Sequence, residues 1–408
     1  MTSQPALLAN AAFLERADVQ ALFALLTADG GAARIVGGAV RNALLGIPVS
    51  DIDAATDLLP AEVTARASRA GFKTIPTGIG HGTVTVLIGK ASFEVTTLRE
   101  DIETDGRHAK VRFGRDFRAD AARRDFTVNA MSAGLDGAVH DYFGGIEDLA
   151  ARRIRFIGDA AERIREDYLR SLRFFRFHAQ LGAGKLDSAG LSAVIRERGG
   201  LPGLSRERVR QEMLKLIAAP GAAAALTALS DAGLMPWVIG GIGYVASFAR
   251  HAAGADTCLA LAALAIGKRE DVAALRDSLR LTNAETARLM QLADALEHWH
   301  GRPAPEGPAA RRALFAHGAE SFGDLCRMKA AEASGYAPAW QALQLASSGW
   351  RSPVFPLSGG DVVKHGIPAG PQVGHVLEAA KARWIAAGFP DDKKRVEQLL
   401  IDAIAEPR

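Results

Sequence analysis

Residues 34–53 read R-I-V-G-G-A-V-R-N-A-L-L-G-I-P-V-S-D-I-D, and the parsing of this stretch decides the fold. Arg34-Ile35-Val36 reads as a short buried strand. Gly37-Gly38 makes a tight turn, Ala39 to Leu45 carries a helical pattern, and Gly46 closes it as a C-terminal cap. After Pro48 a second strand carries Asp51 and Asp53. Side chains alternate along a strand, so these two carboxylates project from one face, where paired oxygens suit a hard cation such as Mg²⁺. A Gly-Gly turn ahead of a helix offers backbone N–H groups to a phosphate, and Arg41, one turn in, adds charge. Either half alone has a plainer reading, as a turn or as a surface D-x-D. In this order they make a phosphate cradle beside a metal clamp.

Around that unit the chain has 408 residues, too many for one ordinary core, so two to four domains are expected. It is 48% hydrophobic and 23% charged, rich in Ala and Gly and poor in aromatics, a composition for globular, largely helical units. A net charge of +3 requires any RNA-binding surface to come from local clustering. Residues 107–176 hold fifteen Lys/Arg against eleven Asp/Glu, so the basic surplus sits next to the cradle. Cys258 and Cys326 stand far apart and give neither a disulfide framework nor metal-ligand spacing, which fits a reducing cytoplasm. The start M-T-S-Q-P-A-L-L-A-N lacks the pattern of a signal peptide. The uncharged run 232–249 is short and broken by Pro236 and glycines, so a buried helix-turn-helix is expected there, not a membrane span. No obligate protein partner is evident.

In chain order, residues 9–29 form an amphipathic helix and Pro60 opens another that Gly71 closes. Phe72 to Pro76 is a strand, and Thr83–Ile88 with Ser92–Thr97 makes a hairpin around Gly89-Lys90. Glu94 in that hairpin is either a third carboxylate for the metal site or a solvated strand residue. From Arg99 to Arg123 the chain is polar without sustained period and reads as a long functional loop. Gly144-Gly145 then breaks the chain ahead of a strand and turn at Ile154 to Asp159.

Two further strings carry chemistry. In R-R-D-F-T-V-N-A (Arg123 to Ala130), Arg123 and Arg124 offer planar donors to triphosphate oxygens. Asp125 is placed to orient one of them, and Asn129 to bond a ribose or a loop. R-I-R-E-D-Y-L-R-S-L-R-F-F-R-F-H (Arg163 to His178) is helical, with Ile164, Leu169, Leu172 and Phe175 on the apolar side. Asp167 and Arg170, three apart, are neighbours on its surface. They make either an intrahelical salt bridge or a base reader. An Asp oxygen accepts from the exocyclic amine of cytosine or adenine while an Arg donates to the adjacent ring nitrogen. Uracil and guanine present like groups to both and are rejected.

G-G-A-V-R with L-L-G-I-P-V-S-D-I-D, R-R-D-F-T-V-N-A and E-D-Y-L-R resemble the signatures of the class II tRNA nucleotidyltransferase (CCA-adding) and bacterial poly(A) polymerase family, within the polymerase-β superfamily. Asn42 departs from the pattern, which usually has Asp after the Arg; a local hydrogen-bonding effect is expected, not loss of activity. S-R-E-R-V-R-Q-E-M-L-K (Ser205 to Lys215) resembles the family's next motif, a helix capped by Ser205 that braces the selecting helix. T-D-G-R-H-A-K-V and E-D-Y-L-R look most like the branch shared by alphaproteobacteria and animal mitochondria. Leu357 to Leu377, a Gly-rich turn between helices, resembles the family's C-terminal module.

The resemblance implies an α+β fold. A nucleotidyltransferase head at 31–155 with a small mixed β-sheet follows an N-terminal helix at 1–30. An all-α neck at 156–220 leads to a helical body and tail at 221–408. The implied reaction adds C, C and A to a tRNA 3′ end from CTP and ATP, with the template replaced by protein side chains. It further implies Asp51 and Asp53 as catalytic ligands of two Mg²⁺ ions, joined by Glu94 if that residue is a ligand. Gly37, Gly38, Arg41, Arg124, Asp167, Arg170, Arg173 and Arg176 would bind nucleotide, supported by Arg123, Asp125, Asn129 and Glu166. The head motifs leave poly(A) polymerase open as an alternative, along with an enzyme that adds only A or only CC. A non-catalytic RNA-binding relative would need a spoiled carboxylate pair, and both carboxylates are present.

Overall fold

The structure is a computed structural model that describes residues 8 and 11–405, apart from 79, 81, 106–107, 252–253 and 333–336, with the backbone alone at 100–105 and 108–112. The chain divides into two compact units, residues 1–238 and 239–408.

In the first unit, β1 (Ala33–Val36) runs into the Gly-Gly turn and helix α2 (Gly38–Leu44). Gly37 has φ +68°, a left-handed conformation that L side chains rarely adopt. A Cβ there would also come within 3.1 Å of an Arg124 Nη. Gly46, at φ +68°, lies just past the helix end, as its spacing predicts. β2 (Asp53–Thr56) then pairs antiparallel with β1, and Val36 faces Asp53 across the ladder. The outgoing end of β1 and the incoming end of β2 therefore meet at one end of these adjacent strands, which brings the Gly-Gly turn to the carboxylates.

Helix α3 (Pro60–Arg69) has Pro60 at its first position and packs Val63 and Ala67 inward, near α1 (Ala17–Thr27) with its buried Leu22, Phe23 and Leu26. β3 (Lys73–Gly78), β4 (Thr83–Ile88) and β5 (Ala91–Thr97) follow as antiparallel neighbours. β5 lies parallel to β2. With β8 (Ser132–Ala133) and β9 (Val139–His140) the strand order is β3-β4-β5-β2-β1-β8-β9, a mixed seven-stranded sheet. Ile35, Ala54, Val84, Val86, Phe93 and Val95 fill its core.

Several expectations give way. Residues 99–113 are not a loop: β6 (Arg99–Asp105) and β7 (His108–Phe113) form an antiparallel ribbon, and α4 (Phe117–Ala122) follows. Positions 106 and 107, between the two strands, fall outside the described residues. In sequence this segment is mostly polar and charged, so it lacks the hydrophobic alternation that marks a half-buried strand. Its register instead sets acidic positions 100 and 103 opposite basic positions 112 and 110. Among the described residues the N-terminal stretch is not one continuous helix: a 3₁₀ turn at Ala12–Glu15 precedes the α-helix that begins at Ala17, and positions 9 and 10 fall outside the described residues. Gly144-Gly145 opens helix α5 (Gly145–Ala150) instead of leading to a strand. Ile154 to Asp159 contributes a single bridge, between Phe156 and Phe126.

The helix read as continuous from Arg163 breaks at Asp167. α6 (Ala160–Glu166) ends there, Asp167 is extended at φ −155°, and α7 (Leu169–Leu181) restarts. Ile164, Leu169, Leu172 and Phe175 are all buried, so the apolar spacing survives the break. α8 (Ser188–Glu197), α9 (Arg206–Ile217) and α10 (Ala222–Asp231) follow, and α9 packs along α7 with Ser205 capping its first turn as expected. Phe126 holds the R-R-D-F string against α7 through a ring contact to Phe177 (5.4 Å), and it also meets its bridge partner Phe156 (4.8 Å).

Residues 232–249 form the short helix α11 (Met235–Ile239) and the start of α12 (Val245–His251). Among the described residues no helix is long and apolar enough to cross a membrane. The second unit is helical. In it α13 (Thr257–Ala265), α14 (Arg269–Leu279), α15 (Asn283–His298), α16 (Gly307–His317), α17 (Ala319–Glu332) and α18 (Ala337–Ser348) bury Leu261, Leu275, Leu292, Phe322 and Trp340. Within the Gly-rich stretch after residue 357, Gly359–Lys364 is itself a short helix, α19, whose cap pairs Ser358 with Asp361. α20 (Pro371–Ala386) and α21 (Lys393–Ile404) close the chain around Ala380, Trp384 and Leu400. Cys258 and Cys326 are free, and burial pushes their thiols up to about 11 and about 12.

Candidate active site

A cavity of about 510 Å³ gathers the three strings that carry chemistry in the sequence. Gly37, Gly38, Arg41 and Asp53 line one side. Arg123, Arg124, Asp125 and Asn129 line another, and Asp167, Arg170, Arg173 and Arg176 come from the helices. Asp51, Glu94 and Glu166 are not in its wall. Leu169, Phe177 and Arg208 also line it and were not singled out as site residues from the sequence.

Asp51 precedes β2 instead of lying on it, yet the alternation holds locally: Ile52 is buried, while Asp51 and Asp53 face away from the core, Asp53 into the cavity, where surrounding protein partly desolvates its carboxyl. Parallel pairing sets Glu94 of β5 in register with Asp53, and Glu94 is exposed on its strand. Burial raises the Asp53 pKa, the Glu94 carboxylate raises it further, Arg124 opposes, and Asp51 adds to the rise. Three negative side chains thus repel at one end of the paired strands β2 and β5. As they stand, no three His, Cys, Asp or Glu side chains among the described residues converge closely enough to hold an ion. Hard carboxylate oxygens that repel one another suit a divalent cation, which would relieve the repulsion.

The arginines are sorted by partners that sequence proximity did not reveal. Arg123 and Arg124 are held by the buried Asp120 of α4, at 2.7 and 3.2 Å, and not by Asp125. Asp125 instead receives the fork of Arg173, Nε at 2.6 Å and Nη2 at 2.5 Å, with the Asn129 amide N–H at 3.1 Å. Asn129 therefore serves as a bridge, since its Oδ1 also accepts from Arg41 at 2.6 Å. Arg176 is buried, donates to Glu212 at 2.5 Å and to Gln180 at 2.9 Å, and lies 3.9 Å above the Phe177 ring. Arg41 and Arg173 flank the same ring, at 5.3 and 5.2 Å.

Arg41 differs from the others because neutral oxygens hold it. Asn42 Oδ1 accepts from its Nε at 3.2 Å and its Nη2 at 2.9 Å. Burial, then the nearby Arg176, bring the guanidinium down to about 10, with Asp125 opposing and Arg173 adding to the fall. It stays charged at neutral pH. The Gly37 N–H, by contrast, is committed to the Met131 carbonyl at 3.2 Å.

Asp167 and Arg170 are not paired with each other. Asp167 accepts from Leu169 N at 3.1 Å and from Arg208 Nη2 at 2.6 Å. Arg170 donates to Glu166 at 2.5 Å, to the Arg163 carbonyl at 2.9 Å and to the Arg123 carbonyl at 3.1 Å. The intrahelical salt bridge is replaced by two separate anchors, because the break at Asp167 turns its carboxylate toward α9.

Residues 33–155 match the family described as "Poly A polymerase head domain", and residues 186–242 match "Probable RNA and SrmB- binding site of polymerase A". The mitochondrial CCA tRNA nucleotidyltransferase 1 of Mus musculus is 31% identical over 395 residues, covering 92% of this chain and 88% of its own. The chain belongs to the class II CCA-adding enzyme and poly(A) polymerase family. It is a nucleotidyltransferase, and the family is one that depends on a divalent metal. The CCA-adding enzyme of Geobacillus thermodenitrificans is 43% identical over 218 residues, about half of each chain. A solved Bacillus stearothermophilus CCA-adding enzyme, in complex with CTP, superposes with a TM-score of 0.75 at 31% identity, covering 94% of this chain and 96% of that one. The similarity to mitochondrial members agrees with the branch that T-D-G-R-H-A-K-V and E-D-Y-L-R suggest.

Proposed function

We propose that the protein completes tRNA 3′ ends, adding C, C and A from CTP and ATP without a nucleic-acid template. One observation carries this: a single cavity unites the phosphate cradle, Asp53 and the two groups able to read a base edge. In each step the tRNA 3′-hydroxyl oxygen attacks the α-phosphate of the nucleotide. The bond to the β-phosphate breaks, pyrophosphate leaves with the electron pair, and the hydroxyl proton is lost.

Arg41 and Arg124 draw in the triphosphate, and Gly37 leaves room for Arg124 beside the turn. Arg173 and Arg176 act from behind, their charges already balanced by Asp125 and Glu212. Asp167 accepts from the exocyclic amine of cytosine or adenine and Arg170 donates to the ring nitrogen, so uracil and guanine leave both unpaired. Asp51 and Asp53, with Glu94 next in register, would hold Mg²⁺, two ions by our reading. When bound, the metal supplies positive charge that lowers the pKa of the attacking hydroxyl and stabilises the in-line transition state. The helical second unit is proposed to grip the tRNA by shape and phosphate contacts. The cytoplasm is our placement.

The test uses a tRNA transcript ending at the discriminator base, purified protein and Mg²⁺, with products read at single-nucleotide resolution. Two additions with CTP alone and a halt at three with CTP and ATP are expected. A long ATP ladder would reassign the chain to poly(A) synthesis, and a single A only on a CC-ended substrate would make it an A-adding enzyme. A second prediction follows from Asn42. Asn42→Asp places a carboxylate against Arg41, so KM for both nucleotides should rise, by about three- to tenfold for one opposing charge near the phosphates. The turnover number should hold within about twofold, as expected of lost uniform binding. Unchanged KM would mean that Arg41 does not meet the phosphates.

A further inference from the structure

The proposed base reader Asp167 has an anchor on the neighbouring helix α9. Asp167 sits in the two-residue gap between α6 and α7, where an extended backbone leaves its side chain without the packing of a helix. Among the described residues two donors fix the carboxylate: Leu169 N on Oδ1 and Arg208 Nη2 on Oδ2. A carboxylate oxygen has two accepting positions, so each oxygen keeps one for a ligand. Bonds to both oxygens define the plane of the group. The Arg208 bond, at 2.6 Å between charged partners, is the stronger. Arg208 itself is carried on the first turn of α9, which Ser205 caps and which packs along α7. Its backbone is therefore independent of the gap that it reaches across.

We infer that Arg208 is a specificity-determining positioning residue, which holds the Asp167 carboxylate in the plane that distinguishes an exocyclic amine from a carbonyl. This rests on the assignment of Asp167 as base reader. Without Arg208 the carboxylate keeps one backbone bond and can turn about it. The amine of cytosine then loses a fixed acceptor, while the carbonyl of uracil no longer meets a fixed negative edge. CTP addition should weaken and UTP addition should gain relative to it. A brace acting only on the helices would lower both alike.

The experiment measures kcat/KM for CTP and for UTP on a tRNA transcript lacking CCA, together with Tm, for the unaltered protein and four variants. Arg208→Gln should lower the CTP-to-UTP ratio about tenfold or more, the scale of losing one of the polar contacts that reject a wrong substrate. Arg208→Lys, which keeps the charge but not the fork, should recover part of the ratio. Asp167→Asn should lower the ratio at least as far, and Asp167→Asn with Arg208→Gln should go no lower than Asp167→Asn alone, since Arg208 acts through Asp167. If Arg208→Gln fails to fold, Arg208→Lys and its combination with Asp167→Asn give the same comparison. Equal losses for CTP and UTP would reduce Arg208 to a brace, and a further fall in the double variant would show that it acts apart from Asp167. Either result overturns the inference while normal C, C and A addition by the unaltered protein leaves the function standing. No addition by that protein would overturn both.

Discussion

Asp53→Asn should stop nucleotide addition and yet leave the metal-free protein as stable as before or more so. The loss follows from removing a ligand charge where the transition state needs a cation, on the order of a thousandfold or more in turnover. The stability follows from the raised pKa of Asp53, caused first by burial and then by Glu94, with Asp51 adding to it. A carboxyl whose folded pKa exceeds its unfolded value keeps its proton in the folded state after the unfolded chain has lost it. Stability therefore falls as pH rises from the ordinary carboxylate value through the raised one, and above that window the whole cost is present. Asparagine removes the cost. Thermal unfolding at pH 7 checks both halves: without divalent ions the variant should melt at or above the unaltered protein, and Mg²⁺ should raise Tm of the unaltered protein alone. An equal Mg²⁺ shift in both would mean that the ion binds elsewhere, and near-full activity in the variant would remove Asp53 from the chemistry.

Why the carboxylates were legible and their surroundings were not is a question of range. Gly37, Asp51 and Asp53 announce themselves because turn geometry and strand alternation are local, and the β1–β2 pairing needs only the short helix between them. The β4–β5 hairpin was equally plain, since one buried face imposes alternation on both strands. The β6–β7 ribbon pairs just as regularly, but its sequence carries charges in place of alternating apolar residues and so reads as a loop. At Asp167 the apolar positions stayed in step across the break, so periodicity gave no sign of it. The partner choices were hidden for another reason. Asp125 is adjacent to Arg124 in sequence but bonds Arg173, and Arg208 reaches Asp167 across 41 positions. Only the packing of α7 on α9 and the anchoring of Phe126 among aromatic rings decide those pairs. Phe177 escaped notice because an apolar residue on a buried helix face carries no mark of the three guanidinium groups around it.

That buried charge network predicts the largest loss of stability. Asp125→Ala would remove the carboxylate that faces the Arg173 fork and leave Asn129 Nδ2 and Phe126 N without an acceptor that each now has. Among the described residues Arg173 would keep Glu212, at 3.7 Å, as its ion-pair partner, while lying close to Arg41 and Arg176. Breaking a buried pair from one side costs about 3–5 kcal/mol. For a unit of this size that is a fall in Tm of roughly 10 °C. Acid should erase the difference. Burial is the largest influence on Asp125 and pushes its pKa up, but Arg173, the Asn129 amide and the Phe126 N–H together hold it below the ordinary value. A lowered folded pKa contributes stability that is complete above the unfolded value and is lost as pH drops through the folded one. The gap in Tm between the two proteins should therefore narrow below the ordinary carboxylate range. Arg173→Met added to Asp125→Ala should restore part of the loss, because the orphaned charge and not the missing contact dominates the cost. If the two substitutions instead add, or if the gap in Tm stays constant into acid, Asp125 is a packing residue and its charge is incidental.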